Sequence, residues 1–220
     1  MTIRSLFIFI LFAIGVTWIS HPAFAQKPKP HDGKKVTQVK PSRTHLPTDT
    51  VGIVNGVVIT YADFNSIMSG YLKTFVQRTG DNVVTDSLYS VIVDSSWNKA
   101  VSDILTELEI QKRKLEMTDS AVKQVILQDP PAFLRQQFTD STGTFHPEYL
   151  SLALNDPRND SIVRIIVGAE TVRWETYRLI ASLDPKAHSP AEKKRAYQAW
   201  LKQAMTKATI VDKRLSFGFY

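Results

Sequence analysis

Apolar residues in this chain follow two periods, each of which predicts a kind of element. Val51-Gly-Ile-Val54 and Val57-Val-Ile59 are short β-branched runs on either side of Asn55-Gly56. Asn-Gly suits the positive φ angles of a type I′ turn, so this spacing predicts a β-hairpin. Arms this short are unstable alone and must lie on a larger body. The period then changes. Phe64, Ile67, Met68, Tyr71, Leu72, Phe75 and Val76 recur at three- and four-residue steps and predict a helix to about Arg78, opened by Thr60 and Asp63 as an approximate capping box and stopped by Thr79-Gly80-Asp81-Asn82.

The helical period continues downstream. Leu88 to Leu115 predicts a short helix and a long one, or one bent helix, because Asp94-Ser-Ser interrupts the pattern before Trp97, Val101, Ile104, Leu105 and Leu108. Thr118 caps a helix through Val122 and Ile126 that Asp129-Pro130-Pro131 ends. Two short helices follow, one carrying Phe133, Leu134 and Phe138, the other starting near Pro147 and carrying Tyr149, Leu150, Leu152 and Leu154, with the polar turn Asp140–Thr144 between them. A long helix from about Asn159 to Ser182 is expected to bury Ile162, Ile165, Ile166, Ala169, Val172, Tyr177 and Ile180. The last helix opens on Ser189-Pro-Ala-Glu192 and buries Tyr197, Trp200, Leu201, Ala204, Met205 and Ala208; Thr209-Ile-Val211 is a candidate short strand, and Phe217, Phe219 and Tyr220 are apolar enough to be tied down. The sum is a mainly α, multi-helix core with a short N-terminal β-hairpin. It lacks the βαβ alternation of doubly wound folds and the long alternating strands of barrels or sandwiches.

Two segments precede this body. Arg4, the apolar run Leu6–Val16 and Ala23-Phe24-Ala25 have the order of a signal peptide cleaved after Ala25, and the run is short for a bilayer span. Residues 26–50 are rich in Lys, Pro and Thr and poor in large apolar side chains, so they read as a disordered basic linker. The domain then spans 51–220, as an N-terminal module (51–182) and a returning helix and tail (189–220). The expected location is the periplasm.

The net charge of +6 belongs mostly to the linker, which carries Lys27, Lys29, Lys34, Lys35, Lys40 and Arg43 against Asp32 and Asp49. From Val51 onward 20 basic residues face 19 acidic ones, so a nucleic-acid-binding face has no support, while the basic arm suits weak contact with an anionic membrane. The absence of Cys excludes disulfides, thiolate nucleophiles and zinc-thiolate sites. No glycine-rich nucleotide loop is present, and no cofactor is expected. His146 and His188 are the only histidines of the 51–220 body, and as a general base His146, between Phe145 and Pro147, would need an Asp partner and a nucleophile such as Ser141 or Ser151 beside it. Glu107 with Glu109 and Glu170 with Glu175 are misaligned as acid and base pairs. The chain therefore reads as a non-enzyme, with metal and catalytic residues both absent. Its informative feature is the cluster Phe133, Phe138, Phe145 and Tyr149, aromatics set between helix breaks and candidates for an apolar groove that receives other chains.

Val51-Gly-Ile-Val-Asn-Gly-Val-Val-Ile-Thr60 resembles the "V-x-x-V-N-G-x-x-I-T" opening of the periplasmic SurA/PpiD/PrsA-type chaperones and peptidyl-prolyl isomerases. Leu105, Leu108, Glu109, Lys112, Leu115, Thr118 and Asp119 stand at places comparable to the next helix of that family, and Asp129 through Leu150 resembles its Pro and Phe-rich segment. Larger members carry parvulin isomerase domains before a returning terminal helix; here only Asp184–His188 stands in that place, which leaves no room for one. The resemblance thus implies an ATP-independent chaperone core without prolyl isomerase activity, which binds unfolded or partly folded envelope and outer-membrane polypeptides. The alternative is a non-catalytic structural or assembly partner of one envelope protein. Helix exchange within the family also makes a homodimer an expectation.

Overall fold

A computed structural model describes residues 45–80 and 83–219. The predicted signal peptide and most of the predicted linker lie outside the described residues. In chain order the elements are β1 (Thr50–Val54), β2 (Val57–Thr60), α1 (Tyr61–Thr79), α2 (Asp86–Lys112), α3 (Asp119–Gln128), α4 (Ala132–Gln137), α5 (Pro147–Asn155), α6 (Asp160–Leu183), α7 (Pro190–Lys207) and β3 (Ile210–Asp212), with 3-10 turns at Pro157–Asn159 and Arg214–Phe217. The fold is mainly helical with a small sheet, as the pattern predicts.

The elements form two compact units. The first holds described residues 45–107 and 197–219, the second 108–196, so the division falls inside α2 and inside α7.

In the first unit the hairpin turns at Asn55 (φ 48°) and Gly56 (φ 86°), the left-handed pair that Asn-Gly tolerates. The sheet order is β2-β1-β3, all antiparallel, so the end of the chain pairs with its first strand through Gly52 with Asp212, Ile53 with Val211 and Val54 with Ile210. Val51, Val54 and Ile59 pack with Phe64, Ile67 and Met68 of α1 and Ile92, Val93, Trp97, Ala100, Val101 and Leu105 of α2. Thr60 caps α1 by accepting from the Asp63 amide at 3.2 Å, and Gly80 ends it at φ 69°. Trp200, Leu201, Ala204 and Met205 of α7, and Ala208 just after it, lie against this core but are half-buried, shallower than the predicted stripe. Phe219 is buried, with its ring edge-on to Phe64 at 4.9 Å, so the tail is tied down as expected.

Three local features add to or correct the sequence reading. Residues 45–49, assigned to the end of the linker, make defined contacts. His45 rings against Tyr61 and Phe217 at 5.1 and 4.6 Å, and the amides of Tyr61 and Ala62 donate to the carbonyls of Asp49 and Pro47. The segment gains order from contacts made by distant residues, which composition does not record. Next, α2 runs through Asp94-Ser-Ser as one helix, the single-helix alternative of the two predicted, and buried Ser96 donates back to the Ile92 carbonyl at 2.7 Å, which satisfies its hydroxyl within the helix. Finally, α6 sits in a different rotation. It buries Val163, Val167, Ala169, Glu170, Thr171 and Leu179, whereas Ile162, Ile165, Val172 and Tyr177 are exposed. Its first half is apolar on more than one side, so hydrophobicity alone does not select the inward face.

Candidate interaction surface

The second unit is built on Val122 and Ile126 of α3, Leu134 of α4, Leu150 and Leu154 of α5, and Val163 and Val167 of α6. Thr118 caps α3 by accepting from the Ala121 amide, and Ser189 and Glu192 close a reciprocal capping box at the start of α7, at 3.2 and 2.8 Å. Glu175 of α6 accepts from the Met117 amide at 2.7 Å, which ties α6 to the turn before α3. Inside α6, burial pushes the Glu170 carboxyl up from its ordinary range, and Arg173, at 3.0 Å, opposes that shift.

The four aromatics singled out from sequence lie in this unit but have different surroundings. Phe133, Phe138 and Phe145 are half-buried and packed against its core. Phe138 caps the end of α4, and Phe145 lies in a two-residue bridge with Thr139 while the Arg135 guanidinium sits 5.5 Å above its ring. Flanking the Asp140–Thr144 turn does not expose these rings, because the bridge folds the segment back on itself. Tyr149 differs: it is 56% exposed on α5.

Three residues further along α5, Leu152 is 70% exposed. On α6, Ile162 is 60% exposed, and Ile165 and Val172 follow it on the same side of the helix at steps of three and seven residues. This outward stripe is opposite the face that carries Val163 and Val167. Sequence reasoning assigned these residues to the interior. The available signal was the surplus itself, since Ile162, Val163, Ile165, Ile166 and Val167 are more β-branched bulk than one helix face buries.

His146 lies at the N-cap of α5 between two carboxylates, Nε2 3.0 Å from Asp140 and Nδ1 2.9 Å from Glu148. Asp140 also accepts from the Thr142 hydroxyl and from the amides of Thr142 and Thr144, which closes the turn. Both ring nitrogens face carboxylates, leaving neither for a hydroxyl nucleophile, and the group acts as an ionic clasp. Hydrogen bonds from Thr142, His146 and the Thr144 amide hold Asp140 well below the usual carboxylate range, Glu148 is lowered by its own backbone amide and by His146, and the bonds to Asp140 and then Glu148 raise His146. The raised imidazole contributes to stability below about pH 6.5 and loses that contribution as pH rises through its folded value; the lowered carboxylates contribute above about pH 4.3 and lose it as pH falls. The clasp should therefore be tightest between those limits. An NMR titration of the His146 ring, with hydrogen exchange at the Thr144 and His146 amides, checks this: exchange that is flat across neutral pH contradicts it.

Among the described residues no group of three or more His, Cys, Asp or Glu side chains could hold a metal ion, and no helix is long and apolar enough to cross a membrane. A family model described as SurA-like N-terminal domain matches residues 2–154. The match stops within α5, so α6, α7 and β3 lie beyond it. Neither a curated protein nor a solved structure matches the chain.

Proposed function

Because the chain belongs to the family of SurA-like N-terminal domains, we propose that it is an ATP-independent periplasmic chaperone that holds unfolded or partly folded envelope and outer-membrane polypeptides and does not catalyse prolyl isomerisation. The observation that carries this reading is the outward apolar stripe of α6, with the exposed Tyr149 and Leu152 of α5 in the same unit. β-Branched and aromatic side chains left in water offer non-directional contact area, which suits partners without fixed structure. The six-residue link Asp184–Ser189 between α6 and α7 supports the absence of an isomerase domain. The periplasmic address rests on the family resemblance and on the predicted signal peptide.

Dilution of a urea-unfolded β-barrel client, followed by light scattering with and without stoichiometric protein, tests the holding activity. Scattering should fall with the protein present, and a protease-coupled prolyl peptide assay should show no acceleration. Ile162→Ser with Ile165→Ser, or Tyr149→Ser, should weaken client binding while changing stability by less than about 0.5 kcal/mol, because the side chains stand in solvent. Phe138→Ala and Phe145→Ala should do the reverse and cost about 2 kcal/mol each, as truncations of half-buried rings. Client dissociation constants and denaturant midpoints separate the two classes. Normal client binding by the α6 double variant would remove the stripe from the proposal, and a response to one client alone would favour a dedicated assembly partner.

A further inference from the structure

Resting on the holding activity proposed above, we infer a second client site in the first unit: the open edge of its small sheet, where β3 accepts an extended client segment as a fourth strand. In the order β2-β1-β3, one side of β3 faces β1 and the other faces no strand among the described residues. Ile210, Val211 and Asp212, the whole of β3, are exposed, as are Thr209 before them and Lys213 after them. The register fixes which backbone groups point outward. The Thr209 carbonyl accepts from the Asn55 amide and the Lys213 amide donates to the Val51 carbonyl, both at 2.9 Å, and Val211 between them is the partner of Ile53. Alternation therefore turns the N–H and C=O groups of Ile210 and Asp212 away from β1, donors and acceptors in one line.

The usual devices that close a sheet edge are missing here. β3 pairs with β1 without a bulge and carries no Pro, whereas the β1–β2 pairing slips between Thr50 and Gly52 and β2 runs directly into α1. The side chains are placed for strand addition as well. Val58, Ile53 and Val211 form a row across the sheet, because Ile53 is the partner of both others, on the face opposite Gly52, against which Trp97 packs. Val58 and Val211 are exposed, so the row ends in solvent at β3. Asp212 lies on the other face and is held by Arg214 at 2.7 Å, a polar position. Lys213 returns to the face of Val211, and among the described residues it has no ion pair.

An alternating segment with an apolar side chain beside Val211, a polar one beside Asp212 and a carboxylate beside Lys213 meets all three positions. Segments that build transmembrane β-barrels alternate in this way. Strand addition takes its affinity from main-chain hydrogen bonds, so it accepts many sequences of that pattern. A second copy of this chain fits less well, because its own Asp212 is already held by Arg214 and leaves Lys213 unanswered. Residues 209–213 also span only about 17 Å, too short an edge for the roughly 800 Å² per partner of a stable protein pair. The contact is therefore one for an unfolded segment that comes and goes.

The probe is a synthetic peptide of about ten residues in which Val alternates with Thr and one Glu replaces a Val. Added to the full chain, it should slow hydrogen exchange at the Ile210 and Asp212 amides about tenfold and leave the Val211 amide, which faces β1, unchanged. N-methylation of the peptide's central amides should weaken binding about tenfold. Ile210→Pro removes an outward N–H without touching the β1 ladder, and should weaken binding about fivefold with an unchanged thermal midpoint. Lys213→Glu should weaken the Glu peptide about threefold and strengthen one with Lys in its place. The Ile162→Ser/Ile165→Ser variant should bind the peptide normally, which separates the edge from the α6 stripe. Protection that is absent or does not alternate, or undiminished binding of the N-methylated peptide, overturns the proposal even where client scattering is suppressed. So does protection of Ile210 and Asp212 that rises with protein concentration alone, which assigns the edge to a second copy. Alternating protection in a chain that fails to suppress scattering upholds the strand site and strikes the holding activity instead.

Discussion

Gly52→Ala should sharply lower the thermal midpoint of the sheet-bearing unit, at a cost of about 3 kcal/mol or more. A Cβ there would overlap Trp97 Cη2, stand 2.6 Å from Trp97 Cζ3 and lie 2.8 Å from the Val211 carbonyl oxygen. Two of these obstacles are the outer ring of a buried indole and the third is backbone of the adjacent strand. Moving away from one therefore drives the methyl into the other. The indole has little freedom to yield: Phe64 meets it edge-on at 6.4 Å and the Arg214 guanidinium lies 4.8 Å from its centroid. Gly52 is thus required for close approach, with no demand on its own φ angle. A double-mutant cycle checks the cause. Trp97→Phe removes the outer ring, so Gly52→Ala should cost clearly less in that background than in the wild type. Equal costs in both backgrounds would show that the penalty lies elsewhere.

Hairpin, caps and helix order were readable in the sequence because each depends on neighbours a few residues apart. Asn55-Gly56, Thr60 with Asp63, Thr118 and Ser189 with Glu192 all act locally, and the structure shows each in its predicted role. What escaped is non-local. Gly52 is constrained by a tryptophan on another element, and Arg214 gains its buried position from Asp94, 120 residues away. The rotation of α6 escaped for a related reason: Glu170 and Thr171 face inward, a choice set by packing partners, while Ile162 and Ile165 are left outside. Along the aromatic segment, composition marked a region rich in rings but gave no means of separating half-buried Phe138 and Phe145 from exposed Tyr149. The candidate surface was therefore legible as a neighbourhood, and its outward side chains only from coordinates.

Ending the chain after Ala208 should abolish cooperative unfolding of the first unit, although α1, α2 and the hairpin remain intact in sequence. The removed residues supply the third strand, whose backbone bonds include Thr209 accepting from Asn55 and Lys213 donating to Val51, both at 2.9 Å. They also supply Phe219, stacked on Tyr61 and edge-on to Phe64. Loss of a buried phenylalanine alone costs about 3–5 kcal/mol. Arg214 adds to this. Its guanidinium grips both carboxylate oxygens of Asp212, reaches Asp94 and covers the face of Trp97, so its removal leaves the indole open to water. Taken together these losses rival the whole stability of a domain, about 5–15 kcal/mol. Near-ultraviolet circular dichroism and hydrogen exchange at Val51, Val54 and Phe64 would report the collapse. Graded variants locate it: Phe219→Ala should destabilise strongly, and Arg214→Lys should fail to rescue Arg214→Ala, because an ammonium lacks the planar fork that meets two carboxylates and a ring at once. A truncated chain that melts within about 5 °C of the full one would show that the hairpin and first helices hold their core without the returning tail.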